Sequence, residues 1–284
     1  MARTRTYAVS FGIVAGIGSL AACTLVTSLD GLAGTTGEGE AGALEAGPGD
    51  TGAGDTATIV DGGEAGSPSS FCAKHATAAF CADFEDGPFT QGWGETINNT
   101  GSFALVPAKT SRGLRVTIPD RTDANARASA AVAQTVTTGS ATAFTCSFDM
   151  RIDSLAGTGI VDVGGFTFTG PFYSTHLRHN AVTGGYYLEE YGDPLPGRPA
   201  VVKAHLLTKG PAAGAWSHVA MKFTVDAMTS SATVTIDGEV VLADAPTDAW
   251  RFRSAPHVFG GIANAELAGS GTSVTVDDIL VTTP

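Results

Sequence analysis

Two neighbouring stretches of the chain concentrate side chains able to do chemistry. "THLRHN", Thr175 to Asn180, supplies His176, Arg178 and His179; "GGYYLEEYGD", Gly184 to Asp193, supplies three tyrosines and two glutamates. A sugar ring has an apolar face that packs on flat aromatic rings, while its hydroxyls need charged or amide partners. Side chains alternate along a strand, so Tyr187, Glu189 and Tyr191 share one side and Tyr186, Leu188 and Glu190 the other. Leu188 turns the second set toward a core, where a buried Glu190 needs a partner. The first set is then a candidate glycan surface, with the loops around Trp93 as the next place to look. His176 and Arg178 fall on one face of their own strand, and a polar loop followed by a half-exposed strand explains the same residues without chemistry. His176 and His179 as a metal pair are a further alternative. His205, His218 and His257 stand isolated and read as satisfied sheet residues.

The cysteines carry different chemistry. Cys72 and Cys81 in "FCAKHATAAFCADFED" close a short loop where the chain enters its ordered part. A bridge there contributes about 2.5–3 kcal/mol on the chain-entropy account, and it requires an oxidising compartment. A metal site would have to recruit His75 and a fourth ligand from elsewhere, and the paired short spacings of zinc sites are missing. Cys146 in "TAFTCSFDMRI" alternates with Phe144 and Phe148 and reads as a buried free thiol.

What positions these groups is a run of strands. Alternation is clear in "GLRVTI" (Gly113 to Ile118), "AFTCSFDMRI" (Ala143 to Ile152), "HVAMKFTVD" (His218 to Asp226), "SATVTIDG" (Ser231 to Gly238) and "TSVTVDDILV" (Thr272 to Val281). Val219, Met221, Phe223 and Val225 share one face. Asp237-Gly238 is a hairpin turn signal between two β-rich runs. "ARASAAVAQTV" (Ala126 to Val136) has some helical propensity but is predicted as a strand, because a helix there would be isolated within a sheet protein. The spacing predicts one all-β domain over residues 71–284, long enough to bury a sizeable core.

Upstream the composition changes. Between Gly31 and Ser70 there are 12 glycines, seven acids and no base among 40 residues. Disorder is the expectation, since no aromatic residue occurs between Phe11 and Phe71 to nucleate packing. Such a coil, from Thr24 to Ser70, averages about 35–40 Å end to end. The net charge of the chain is −12; without Arg3, Arg5 and the eight acids from Asp30 to Ser70 it is about −6, which argues against a nucleic-acid partner.

Arg3 and Arg5 precede 16 uncharged residues, Tyr7 to Ala22, the pattern of an export signal. A spanning helix wants about 20 apolar residues, so a transmembrane anchor is the lesser alternative. Leu20-Ala21-Ala22-Cys23 resembles the lipobox of bacterial lipoproteins. The resemblance implies a signal peptide over 1–22, lipid attachment at Cys23 and a tether over 23–70. Several acyl chains make such an attachment effectively permanent. Thr24 after the cysteine is similar to lipoproteins sent to the outer membrane, so the expected location is the bacterial outer membrane or cell surface.

"GAWSHVAMKFTVDAMTSSATVTIDGEVV", Gly214 to Val241, resembles the strand, hairpin and Asp-Gly turn of laminin-G-like and concanavalin A-like domains. "FCADFED" and "VTVDDILV" are similar to the first and last strands of that superfamily, which lie side by side. The resemblance implies a two-sheet antiparallel jelly-roll sandwich with one concave sheet. It also implies a structural calcium, held by Asp83 and Glu85 together with Asp277 or Asp278, since calcium wants 6–8 oxygens.

Glucanases of the superfamily carry E-x-D-x-x-E on one concave strand, because retaining hydrolysis needs two carboxyls about 5–5.5 Å apart. No Glu here is followed two positions later by Asp. Polysaccharide lyases of similar fold use a Tyr or His base and a cation or amide to neutralise a uronate; His176, Arg178, Tyr186, Tyr187 and Tyr191 offer that set. Three functions are therefore open. The balance favours a membrane-anchored lipoprotein displaying a non-catalytic glycan-binding or adhesion sandwich, with no catalytic residue. The alternatives are a polysaccharide lyase-like enzyme and a structural envelope protein without a small ligand. The expected partners are the membrane, through the lipid, and a glycan or cell-envelope component.

Overall fold

The computed structural model describes residues 70–109, 111–120, 127–138, 141–155, 158–169, 172–252, 255–268 and 271–284. The expectations for residues 1–69, lipidation of Cys23 included, lie outside these. No helix among the described residues is long and apolar enough to cross a membrane. A one-turn helix, α1 (Phe71–Lys74), is followed by β1 (Phe80–Ala82), β2 (Glu95–Asn99), β3 (Ser102–Pro107), β4 (Arg112–Ile118), β5 (Ala128–Thr135), β6 (Ala143–Leu155), β7 (Thr158–Thr169) and β8 (Phe172–Asn180). Then come β9 (Gly185–Gly192), β10 (Val201–Leu206), β11 (Trp216–Val225), β12 (Ser230–Ile236), β13 (Glu239–Thr247), β14 (His257–Ala268) and β15 (Thr272–Thr282).

The strands form two antiparallel sheets. The first runs β13-β12-β11-β6-β15-β4-β3, with β1 added alongside β15; the second runs β10-β9-β8-β7-β14-β5-β2. First and last strands pair as expected, Phe80 with Val281 and Ala82 with Ile279. Within "ARASAAVAQTV" the residues Ala128–Thr135 are indeed a strand, β5, between β14 and β2. Asp237 and Gly238 both take positive φ, 53° and 80°, which is what a tight hairpin between β12 and β13 demands. Helix α1 was not legible in the sequence, because a single turn has no period. Ser70 caps it by accepting a hydrogen bond from Ala73 N–H at 3.2 Å.

Alternation fills the space between the sheets. Phe144, Cys146, Phe148, Met150 and Ile152 from β6 meet Val219, Met221 and Phe223 from β11 and Phe166 and Leu177 from the second sheet. Phe166 stands edge-on to Phe223, with ring centroids 4.4 Å apart. Burial keeps Cys146 a free thiol and pushes its pKa up to about 12, so it is an inert core residue, as expected. The Cys72–Cys81 disulfide is formed and ties α1 to β1.

Two irregularities shape the second sheet. Bulges interrupt β7 between Val163 and Gly165 and β14 between Phe259 and Ile262. Such bulges bend a strand and break its period of two. Gly165 is required here: its φ is 151°, and a Cβ on it would stand 2.2 Å from the carbonyl oxygen of Thr175.

Candidate active site in the groove of the second sheet

On β8, alternation sends Phe172, Ser174, His176 and Arg178 to the face away from the core. The antiparallel register then places Tyr191 opposite Ser174, Glu189 opposite His176 and Tyr187 opposite Arg178. Asp162 on β7 lies opposite Arg178 on the other flank. With Arg127 and Ser129 at β5 and Asn264 and Glu266 on β14, these residues line an open groove of about 600 Å³; Tyr187 lies beside it and not in its lining.

The inward set behaves as the sequence required. Glu190 is fully buried, and its partners are Tyr173 Oη (2.7 Å), Asp248 N–H (2.7 Å) and His205 Nε2 (2.6 Å). Tyr186 packs on His179, ring centroids 4.6 Å apart, and donates its hydroxyl to the Pro211 carbonyl at 3.2 Å. His205 thus has a partner, as expected for a satisfied sheet residue. So do His218, 2.7 Å from Asp149, and His257, 3.8 Å from Glu95.

Charge in the groove is organised around Arg178. Its Nε donates to Asp162 Oδ1 at 2.6 Å and its Nη2 to Asp162 Oδ2 at 3.0 Å, a bidentate pair; it also bonds Glu189. Burial draws the guanidinium down, but Asp162 and Glu189 outweigh it and hold Arg178 above its ordinary value. Burial is also the main influence on Glu189. With Asp162 and Glu266 adding to it, it raises the carboxyl above the usual range despite Arg178.

His176 is held below the ordinary imidazole value, by burial first and by Arg178 against the pull of Asp162. Its ring lies 5.1 Å from Phe259, and Nδ1 is buried without a hydrogen-bond partner among the described residues. A neutral imidazole of this kind accepts a proton at neutral pH. Arg127, at the rim, pairs with Glu266 at 3.2 Å through side chains 77% and 37% exposed. So exposed a pair is weak, which leaves the guanidinium open to a ligand.

Of the expected ligand residues, Glu189 and Tyr191 line the groove. Tyr187 shares their face, its hydroxyl 3.4 Å from Thr183 Oγ1. Trp93 does not belong with them. It packs against Phe80 and Phe84, with centroids at 4.9 and 6.2 Å, and is part of the core margin. Asp162, Asn264, Glu266 and Arg127 were missed. The one signal available was Asp162 itself, a lone acid in the apolar run "GIVDVGG".

The acids expected to hold calcium gather near the β1–β15 pairing, where three of the four carboxylates accept hydrogen bonds. Asp83 accepts Cys72 N–H at 2.9 Å, Glu85 accepts Arg112 N–H at 2.9 Å, and Asp277 accepts Ser111 Oγ at 2.6 Å and Asp278 N–H at 2.9 Å. Among the described residues no group of three or more His, Cys, Asp or Glu is arranged to hold a metal ion.

Burial, with Asp278 and Glu85, pushes Asp277 up to about 7; burial, Asp149, Asp83 and Glu85 push Asp278 up to about 6. Because the folded value of Asp277 lies above its unfolded one, its contribution is complete below pH 4 and is lost as pH rises toward 7. Asp277→Asn is expected to remove that loss and to stabilise the protein by about 1–2 kcal/mol at pH 8 after allowing for screening. Its amide can keep both hydrogen bonds, with Ser111 turning to accept. Urea unfolding at pH 5 and pH 8 checks this, and a variant less stable than wild type at pH 8 contradicts it. Adding calcium or a chelator to the same experiment tests the calcium expectation, which an unchanged midpoint rules out.

No protein-family model and no curated protein matches the chain. Among solved structures the chain is similar to an endo-β-1,4-glucuronan lyase from the fungus Trichoderma reesei, at 17% identity and a TM-score of 0.57, covering 73% of this chain and 96% of that one. It is similar to a glycoside hydrolase family 16 endo-glucanase from Bacteroides ovatus, at 8% identity and a TM-score of 0.50, covering 71% and 99%. An alginate lyase from a Chlorella virus matches at 10% identity and a TM-score of 0.47, covering 68% and 93%. The glucuronan lyase and the endo-glucanase of this fold, together with the side chains of the groove, correct the expectation of a non-catalytic glycan-binding or adhesion module. It failed because it gave the face tyrosines and one carboxylate, whereas the groove also holds a neutral imidazole, two guanidiniums and two further acids. The chain has the concanavalin A-like jelly-roll fold found among polysaccharide lyases and glycoside hydrolases.

Proposed function

We propose that the chain is a carbohydrate-active enzyme that cuts a polysaccharide lying across the groove, by β-elimination at a uronate residue. The observation carrying this reading is the convergence of neutral His176 with Arg178 and Tyr191 in one groove. The amide of Asn264 and the guanidinium of Arg127 face the same space and suit a uronate carboxylate, whose charge must be offset before the adjacent carbon gives up its proton. His176 takes that C5 proton. The C5–H electrons form the C4–C5 double bond, the C4–O bond breaks, and the Tyr191 phenol protonates the departing oxygen. Arg178, committed to Asp162 and Glu189, holds these two acids in position.

A second reading, hydrolysis, rests on Glu189. Its raised carboxyl beside Asp162 and Glu266 suits a general acid. Incubating the full-length chain with polyglucuronate, alginate and a neutral β-glucan separates the two. Unsaturated uronate ends, seen by ultraviolet absorbance, mark elimination; new reducing ends without that absorbance mark hydrolysis. No cleavage of any of the three overturns the enzymatic reading.

Lipid attachment at Cys23 belongs to the same proposal and would hold the enzyme at the bacterial outer membrane or cell surface, on a Gly- and acid-rich tether. The residues from Leu20 to Cys23 and the charge-free run before them support it. Cys23→Ala is expected to leave the precursor unprocessed and without an acyl chain, as metabolic labelling with a fatty acid would reveal. Normal processing of the variant contradicts it.

A further inference from the structure

Beyond the groove, the same face of the second sheet carries an apolar shelf. Phe172 on β8, Tyr191 on β9, and Val202 and Leu206 on the edge strand β10 are large hydrophobic side chains that are 38%, 43%, 69% and 63% exposed. The register sets Val202 directly opposite Tyr191 and Leu206 opposite Tyr187, so all four lie on one side of three adjacent strands. Phe172 and Tyr191 form a tilted ring pair with centroids 5.9 Å apart. Both of these rings also line the groove, so shelf and groove are one continuous surface. Ala204, between Val202 and Leu206 on the same side, is small and exposed and keeps this side of β10 free of charge.

Four exposed apolar side chains gathered on one face and continuous with a groove mark a binding surface. At a strand spacing of about 4.8 Å, three strands give a shelf about 10 Å across.

We infer that this shelf is a stacking subsite for the sugar rings of a polymer that continues out of the groove toward β10. The assignment rests on the carbohydrate reading of the groove. The occupant follows from two observations: any ligand filling the groove already touches Phe172 and Tyr191, and flat rings with aliphatic neighbours match the apolar face of a pyranose and not its carboxylate. The subsite thus favours chains over single sugars and is indifferent to whether each unit is charged.

The test is retardation of the full-length chain in native gels containing polyglucuronate or a neutral β-glucan. Phe172→Leu keeps apolar volume but loses the flat face, and Val202→Asp places charge on the shelf. Each is expected to weaken retardation about tenfold at an unchanged melting temperature, while Phe172→Tyr binds as wild type. Variants that are retarded as strongly as wild type overturn the subsite, as does a wild-type protein that neither polymer retards. A wild-type protein that is retarded but cuts neither polymer overturns the enzymatic reading and leaves the shelf in place.

Discussion

Replacing His176 by Ala is expected to lower polysaccharide cleavage by about 10²–10⁴-fold, the usual contribution of a positioned acid or base. The imidazole sits in the groove beside Glu189 and Arg178, and Nδ1 makes no hydrogen bond among the described residues that the substitution would break. Folding should therefore survive and the loss should fall on kcat. The pH profile supplies a second readout. Burial lowers the pKa of His176 below its ordinary 6.5. A base works when neutral, so activity should be retained as pH falls toward 6.5 and disappear only below it. Cleavage by His176→Ala within about fivefold of wild type, with an unchanged acid limb, removes His176 from the mechanism.

The largest expected loss of stability is at Glu190. Glu190→Ala strips the Tyr173 hydroxyl, the Asp248 amide and His205 Nε2 of their shared acceptor at once. A buried donor left without an acceptor costs about 1–3 kcal/mol, and truncating one member of a buried charged network about 3–5 kcal/mol. The variant should lose about 3–5 kcal/mol, or on the order of 10 °C in Tm for a domain of this size. A loss below about 1 kcal/mol in chemical unfolding would falsify the account of Glu190 as the anchor of β9 to β10 and to the residues after β13.

How much of this was legible in the sequence depended on whether the signal was local. Period-two alternation correctly separated Tyr187, Glu189 and Tyr191 from Tyr186, Leu188 and Glu190, and it foresaw that Glu190 needs a partner. It marked Cys146 as core, whereas the pairing of the terminal strands came from their resemblance to the first and last strands of the superfamily. What it could not carry was strand order, and the groove gathers residues from β5, β7, β8, β9 and β14, more than 130 positions apart at the extremes, Arg127 to Glu266. The bulges at Gly165 and at Gly261 also reset the alternation of β7 and β14. Simple counting therefore loses phase across those two strands. The leaning against catalysis came from the missing E-x-D-x-x-E pattern and from reading His176, Arg178 and the tyrosines as a polar loop followed by a half-exposed strand. Trp93 misled for a related reason: a tryptophan in a Gly-rich loop looks exposed until Phe80 and Phe84 are seen to enclose it.

The place of β15 in the first sheet has a consequence for how the chain is made. This strand follows every other in sequence yet lies between β6 and β4 and carries β1 along its edge. Until it emerges, β13-β12-β11-β6 and β4-β3 are two half-sheets with open edges, and β1 has nothing to pair with. Folding cannot be completed progressively from the amino terminus as synthesis advances. Contacts of such long sequence separation also make closure slow once it begins. A chain of this topology closes its first sheet only once β15 is made, and until then its strand edges stand open to mispairing.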